Sequence, residues 1–299
     1  MWHISILNYE SAMRSAIYGI EELFTLANRM APSPLFHIEL CDYHQSMSTA
    51  TQRIIFIPPC FADPLPTFEN SALTMWLQKN ADDGVILAAS CVGVFWLGRA
   101  GLLNGKTVTT HWRLCEKLAQ QFPAIRHVEK RDMVVDQGEI VTAAGLFAFQ
   151  DLVLHLIARL AGYDLAKQVA DFSLLDLNGR LQAYYERFSP NIDHGDTLIL
   201  QAQRLCETDP TLSVKQLADL SFISERTLYR RFMAATGLSP KQYLVESKIE
   251  LARTLLSTSS MSVEKVAHHL GYLDVSNFNR TFGKVTGMTP AGFKARQLA

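Results

Sequence analysis

The stretch from Gly84 to Gly101 reads GVILAASCVGVFWLGRAG. An apolar run, Val85 to Ala89, stops at Ser90 and Cys91. A second apolar segment follows, spaced like a helix and broken by Gly93 and Gly98. A thiol at a sharp strand-to-helix bend is how α/β enzymes present a nucleophile. A helix N-terminus lowers the pKa of such a thiol and offers amides to an oxyanion. Gly93 would let a ligand approach the backbone. His111 closes a second short strand, KTVTTHW, and could stand beside Cys91 as a base, giving a Cys–His pair. The same position, at the carboxyl ends of strands, also suits a ligand pocket, and a buried structural thiol is the plainer alternative. Two tryptophans bear on the choice. Aromatic boxes hold quaternary amines through cation–π contacts. Trp96 is expected to pack beneath the bend, which leaves Trp112, next to His111, as the better ligand residue. The pocket residues are therefore Cys91, Val92, His111 and Trp112.

A different chemistry occupies the last third. The segment LSVKQLADLSFISERTLYRRFMAATGLSPKQYL, from Leu212, returns as MSVEKVAHHLGYLDVSNFNRTFGKVTGMTPAGFK, from Met261. Ser224, Arg230, Phe232, Gly237 and Pro240 align with Asp274, Arg280, Phe282, Gly287 and Pro290, and one inserted residue near Gly271 accounts for a slip in offset. Each copy reads as helix, turn, helix. Ser224 and Asp274 suit N-caps, Gly237 and Gly287 suit C-terminal stops, and Pro240 and Pro290 suit helix starts. A short helix followed by a capped helix rich in Arg, Asn and Tyr is a helix-turn-helix, whose second helix enters the major groove. The residues expected on DNA are Ser224, Arg226, Thr227, Tyr229 and Arg230 in the first copy. Ser276, Asn277, Asn279 and Arg280 are their counterparts in the second. Arg pairs with guanine and Asn with adenine, although Arg230 and Arg280, recurring at matched positions, would also serve phosphates or internal ion pairs. Between the copies no helix breaker interrupts Gln242 to Leu256, so one rigid helix is expected to fix their spacing.

The elements that must position these groups follow from the patterning. WHISILNY, LFHIELCDY, RIIFIPP and GVILAAS are strand-like, with helices expected over 15–30 and 68–79 between them. RDMVVDQGEIVTAAG alternates about Gln137-Gly138 as a hairpin, and LFAFQDLVLHLIARLAG gives a long apolar helix. Strand alternating with helix implies a doubly wound, flavodoxin-like parallel sheet. The fold expected is that α/β domain at 1–162, a helical join at 163–195 with breakers Gly179, Pro190 and Gly195, and an all-α domain at 196–299 carrying two helix-turn-helix motifs on a long helix.

From about Asp196 onward the chain resembles the AraC-type DNA-binding domain. The carrying motifs are KIELARTLL, VAHHLGY, SNFNRTF and GMTPAGF; Lys248 stands where that family usually has Arg. Residues 2–162 resemble the class I glutamine amidotransferase-like (ThiJ/PfpI-like) superfamily through AASCVGVFWLGRAGLLNGKTVTTHW, IVTAAG and GIEELFTLAN. Together they imply a one-component transcription regulator that senses a small molecule, an amino acid or amine. The alternative is a cysteine hydrolase or amidase with a DNA-binding tail. Three departures oppose that alternative. Enzymes of the superfamily draw an oxyanion amide from a glycine pair after an earlier strand, but here RIIFI runs into Pro58-Pro59, which have no N–H. Protease-like members place His after the nucleophile, where this chain has Val92. The His-x-Glu pair of amidotransferases is matched only by His127-Val128-Glu129, which reads as a strand with two polar side chains on one face.

Totals agree. Of 28 basic and 29 acidic residues, Leu200–Ala299 hold 13 and 8, leaving 15 and 21 elsewhere, so a basic third follows an acidic body. No apolar run is long enough for a membrane span, and MWHISILNYE lacks the features of a signal peptide. Five scattered cysteines give neither a disulfide framework nor a zinc site. The expectation is a cytoplasmic activator acting as a homodimer with double-stranded DNA and RNA polymerase, with no cofactor, metal or membrane.

Overall fold

The computed structural model describes residues 1–44, 50–61, 67–177 and 180–298; Gly179, one of the expected breakers, lies outside them. The chain divides into two compact units, Met1–Ala183 and Tyr184–Ala299.

The first unit is a sheet covered on both faces. Its strands are β1 (Trp2–Leu7), β2 (Phe36–Cys41), β3 (Arg53–Ile57), β4 (Ile86–Ser90), β7 (Val134–Asp136) and β8 (Ile140–Ala143), ordered β2-β1-β3-β4-β8-β7. All neighbours are parallel except β7 and β8, which form the expected hairpin about Gln137-Gly138. The central strands RIIFI and ILAAS are buried almost throughout, so they read as unbroken apolar runs rather than alternating ones. One face packs against α1 (Arg14–Met30), α5 (Phe149–Ala161) and α6 (Tyr163–Ser173). In α1 this is because Ile17, Ile20, Phe24 and Ala27 recur on one side. The other face packs against α2 (Ser71–Asp82) and α3 (Val94–Arg99). The strand expected at 107–111 is shorter, β5 (Thr107–Thr109). It stands outside the main sheet, paired with β6 (His127–Glu129), and α4 (Cys115–Gln121) follows it. The reason is local: the Thr109 N–H donates to the Thr142 hydroxyl at 2.9 Å, so a side chain fastens β5 to β8.

The second unit is helical: α7 (Thr197–Thr208), α8 (Val214–Leu220), α9 (Glu225–Thr236), α10 (Pro240–Thr258), α11 (Val263–His269), α12 (Val275–Thr286) and α13 (Pro290–Leu298). The caps expected at Ser224 and Asp274 form, and Ser213, Ser239 and Ser262 cap their helices as well, each accepting a backbone N–H of the following turn; Gly237 and Gly287 take left-handed φ of +73° and +77°. Helix α10 runs unbroken and enters two cores. Tyr243 and Leu244 join the first, and Ile249, Ala252 and Leu256 join the second. Among the described residues no helix is long and apolar enough to cross a membrane.

Candidate ligand site and nucleic-acid interface

Cys91 sits at the bend between β4 and α3 with φ +52°, a left-handed conformation rare for a residue with a Cβ. The neighbouring residues over-determine it: Ser90, Val92 and Val94 are all buried, and the Thr110 hydroxyl donates to the Cys91 carbonyl at 2.7 Å. The whole residue is 2% exposed. Burial pushes its pKa up to about 12, against a smaller opposite pull from the Val92 N–H. A thiol in that state is almost wholly protonated at neutral pH and is a poor nucleophile.

The ground beside Cys91 is electrostatically wrong for an oxyanion. A Cβ at Gly93 would lie 2.6 Å from the Pro58 carbonyl oxygen and 2.7 Å from that of Ile57. The end of β3 therefore presents carbonyls to the elbow. Gly93 makes room for these carbonyls, not for the ligand expected there. Tyr9 holds the same corner, its hydroxyl donating to the Pro58 carbonyl at 2.7 Å and its ring edge-on to Trp96. Trp96 is core, as expected, packed on Tyr9 and Phe68.

His111 does not form the Cys–His pair that its place at a strand end would allow. Among the described residues no hydrogen bond joins it to Cys91; its Nδ1 accepts from the Arg113 N–H at 3.2 Å. Burial, then the Arg113 charge, hold its pKa below the ordinary value, which favours neutral imidazole. Trp112, the other aromatic candidate, lies beside His111. Its ring stacks with His111 at 5.4 Å, and the Arg113 guanidinium lies 4.9 Å from its centroid, so the chain's own cation already uses that ring. Val92 is buried at 3% exposure. His127 and Glu129 lie on one face of β6, 3.6 Å apart, as read from the sequence.

One feature escaped the sequence reading. A cavity of about 430 Å³ is lined by Asn8, Tyr9, Glu10, Ser11, Ala12 and Arg14, just beyond the carboxyl end of β1. Strand order reverses there, between β1 and β3, which is where open α/β sheets take ligands. No motif marks NYESAMR; only the topology does.

The helices expected to act in recognition are α9 and α12. Leu228 and Phe232 of α9, and Phe278 and Phe282 of α12, face inward, which leaves Arg226, Tyr229, Arg230, Ser276, Asn277, Asn279 and Arg280 exposed. Ser224 and Thr227 are engaged with one another. The Ser224 hydroxyl accepts the Thr227 N–H and lies 2.9 Å from its Oγ1. Arg230 and Arg280 form no ion pair among the described residues, but Arg231 does. It clamps Asp196, the cap of α7, through Nε at 2.9 Å and Nη2 at 2.5 Å. A cleft of about 630 Å³ between the two helix-turn-helix units is lined in part by Lys241, Lys248, Tyr272, Asp274, Asn277 and Arg280. The sequence reading passed over Lys241.

The geometry has counterparts among known proteins. The helix-turn-helix domain family matches residues 217–296, and the DJ-1/PfpI family matches residues 40–159. A DJ-1/PfpI-type segment is thus followed by a helix-turn-helix segment, and the curated relatives that share this length of chain are HTH-type transcriptional regulators. This regulator is 28% identical over 230 residues to the HTH-type transcriptional regulator CdhR of Pseudomonas aeruginosa, an alignment covering 75% of this chain and 67% of that one. It spans between 59% and 72% of the length of the first curated relatives it matches. A shorter match, 33% over 104 residues, is to isonitrile hydratase of Pseudomonas putida, covering 35% of the regulator and 44% of the hydratase. A crystallised protein from Vibrio parahaemolyticus superposes with TM-score 0.50 at 17% identity, over 57% of the regulator and 98% of its own chain, a likeness of fold alone.

Proposed function

We propose that a small molecule held at the carboxyl ends of the sheet, beside the Cys91 elbow, controls DNA binding by this regulator and is not turned over. The observation that carries this reading is a strained elbow without a nucleophile. Cys91 keeps the left-handed backbone of a reactive bend while its thiol is buried and protonated. Strained residues of this kind persist at ligand clamps as well as at catalytic centres. Ser90 adds support, since its hydroxyl is fully buried and has no hydrogen-bond partner among the described residues. Arg113, exposed at the rim and stacked on Trp112, favours a ligand with a carboxylate, such as an amino acid, over a quaternary amine. The reading includes a cytoplasmic homodimer that activates transcription through RNA polymerase. It places Arg226, Tyr229, Arg230, Asn279 and Arg280 on DNA.

A second reading, catalysis at Cys91, is favoured by the hydratase match alone. One experiment addresses both. Wild type and Cys91→Ala are assayed for hydrolysis of amides, esters and peptides and for hydration of isonitriles, and both are screened by thermal shift against free amino acids and amines. A ligand that binds the folded state raises the melting temperature. The expected result is no turnover dependent on Cys91 and at least one stabilising carboxylate ligand. Turnover lost on Cys91→Ala would establish the enzyme reading instead.

A further inference from the structure

Between Arg180 and Phe188 the chain leaves the first unit and enters the second, and both sides of that step are pinned. On the first side, Arg180 grips Asp151 of α5 twice, Nε to Oδ1 at 3.0 Å and Nη2 to Oδ2 at 2.5 Å. Leu181 bridges to Asp132. Gln182 is 3% exposed; its N–H donates to the Arg131 carbonyl at 3.0 Å, and its Nε2 donates to the Thr109 hydroxyl at 2.8 Å. On the second side, Arg253 of α10 donates to the carbonyls of Tyr184 and Glu186. Glu250, also of α10, accepts the Phe188 N–H at 3.3 Å, and Tyr184 lies against Phe293 of α13. Ala183 is the single residue between Gln182 and Tyr184.

The first side leads back to the elbow. Thr109 accepts from Gln182, and the next residue, Thr110, donates to the Cys91 carbonyl. We infer that Gln182 couples the elbow to the DNA-binding unit. A change beside Cys91 passes through Thr110 and Thr109 to Gln182, and then along the chain to α10, which carries both helix-turn-helix motifs. This rests on the effector reading of the elbow and adds to it the route of regulation.

Three physical points carry the inference. The connections are directional hydrogen bonds in a buried setting, where leaving a partner unmatched is costly, so the network favours discrete arrangements over gradual ones. Gln182 Oε1 is buried with no partner among the described residues, so the network holds an unused acceptor that a second arrangement would satisfy. A slack tether would dissipate any displacement, whereas one residue between two anchored ends does not.

The test uses the full chain without ligand, and Thr110→Val serves as the perturbation at the elbow because it deletes the bond to Cys91 while nearly keeping the shape. Hydrogen–deuterium exchange is followed over residues 181–188 and along α10. Thr110→Val should speed exchange there by about tenfold, the worth of one buried hydrogen bond. In a Gln182→Leu chain, already uncoupled, adding Thr110→Val should change those amides no further. Additive effects, or a change confined to residues 86–115, would overturn the inference. Should Gln182→Leu fold poorly, Thr109→Val breaks the same bond and Thr109→Ser, which keeps the hydroxyl, should restore the response; equal behaviour of the two would also overturn it. Because no ligand enters these measurements, an empty thermal-shift screen would count against the effector reading and leave this result standing.

Discussion

Ser224 and Asp274 do the same work at an offset of 50 residues: each caps a recognition helix that ends in a left-handed glycine and is followed by a proline-led helix. Around those shared parts the two copies diverge. The first is clamped from outside by Arg231 on Asp196, and the matching position in the second is Thr281. The ring pair Phe282–Phe293 of the second has its match in Phe232–Tyr243 of the first, but the second adds Phe278 where the first has Leu228. Their turns differ as well. Phe222, 94% exposed, takes φ +56° in the first, while Gly271 takes φ +78° against Thr211 in the second. Parts held by bonds a few residues long are common to both copies, whereas the Arg231–Asp196 pair, held across 35 residues, belongs to the first. The exposed faces are peculiar too, with Arg226 and Tyr229 set against Ser276 and Asn279.

The contrast between the turns gives the largest expected effect. In Gly271→Val the side chain would meet Thr211 at about van der Waals overlap, 3.2 Å from its Cα, at a φ that disfavours it. We expect a loss of about 2–4 kcal/mol in the stability of the second unit, measured by urea unfolding. Next come the recognition faces. Arg226→Ala and Asn279→Ala should each cost about 1–3 kcal/mol of operator affinity and relax preference at different base pairs, measured by binding to a randomised site library. Uniform weakening would place both on phosphate alone. Smaller still, Phe222→Gly should stabilise by no more than about 1 kcal/mol, since it removes left-handed strain at some cost in chain entropy; calorimetry checks the sign.

The smallest effect separates the two caps by pH. The Asp274 carboxyl is held below its usual range, first by the Ser276 N–H, whereas Ser224 does not titrate. A depressed folded pKa stabilises above the unfolded value, about 3.9, and that contribution fades as pH falls through the folded one. Amide protection at the start of α12, corrected for the intrinsic exchange rate, should therefore fall below about pH 4, beyond any change at the start of α9. Equal change at both would remove the distinction.

The same division explains what could be read from the sequence. The caps, stops and repeat were legible because each depends on partners three or four residues away. So were α1, α2, α3 and α5 of the first unit and the hairpin about Gln137-Gly138. The chemistry at the elbow was not. The state of Cys91 depends on burial by distant segments, and the carbonyls facing Gly93 come from Ile57 and Pro58 on another strand. His111 adjoins the right strand end, yet Thr110 makes the bond. Asp196 with Arg231, and Thr109 with Gln182, are separated by 35 and 73 residues, and no local pattern announces such pairs.

Arg253 has a consequence for modular exchange. Its side chain is 2% exposed within α10, and its guanidinium donates to carbonyls of Tyr184 and Glu186, upstream of the helix-turn-helix region. A chimera spliced at Asp196 would discard those carbonyls and leave the desolvated cation to Glu250, 3.9 Å away on the same helix. The transplantable piece therefore begins before Tyr184, and any foreign sensor grafted onto it has to supply its own anchorage for the residue that takes the place of Gln182.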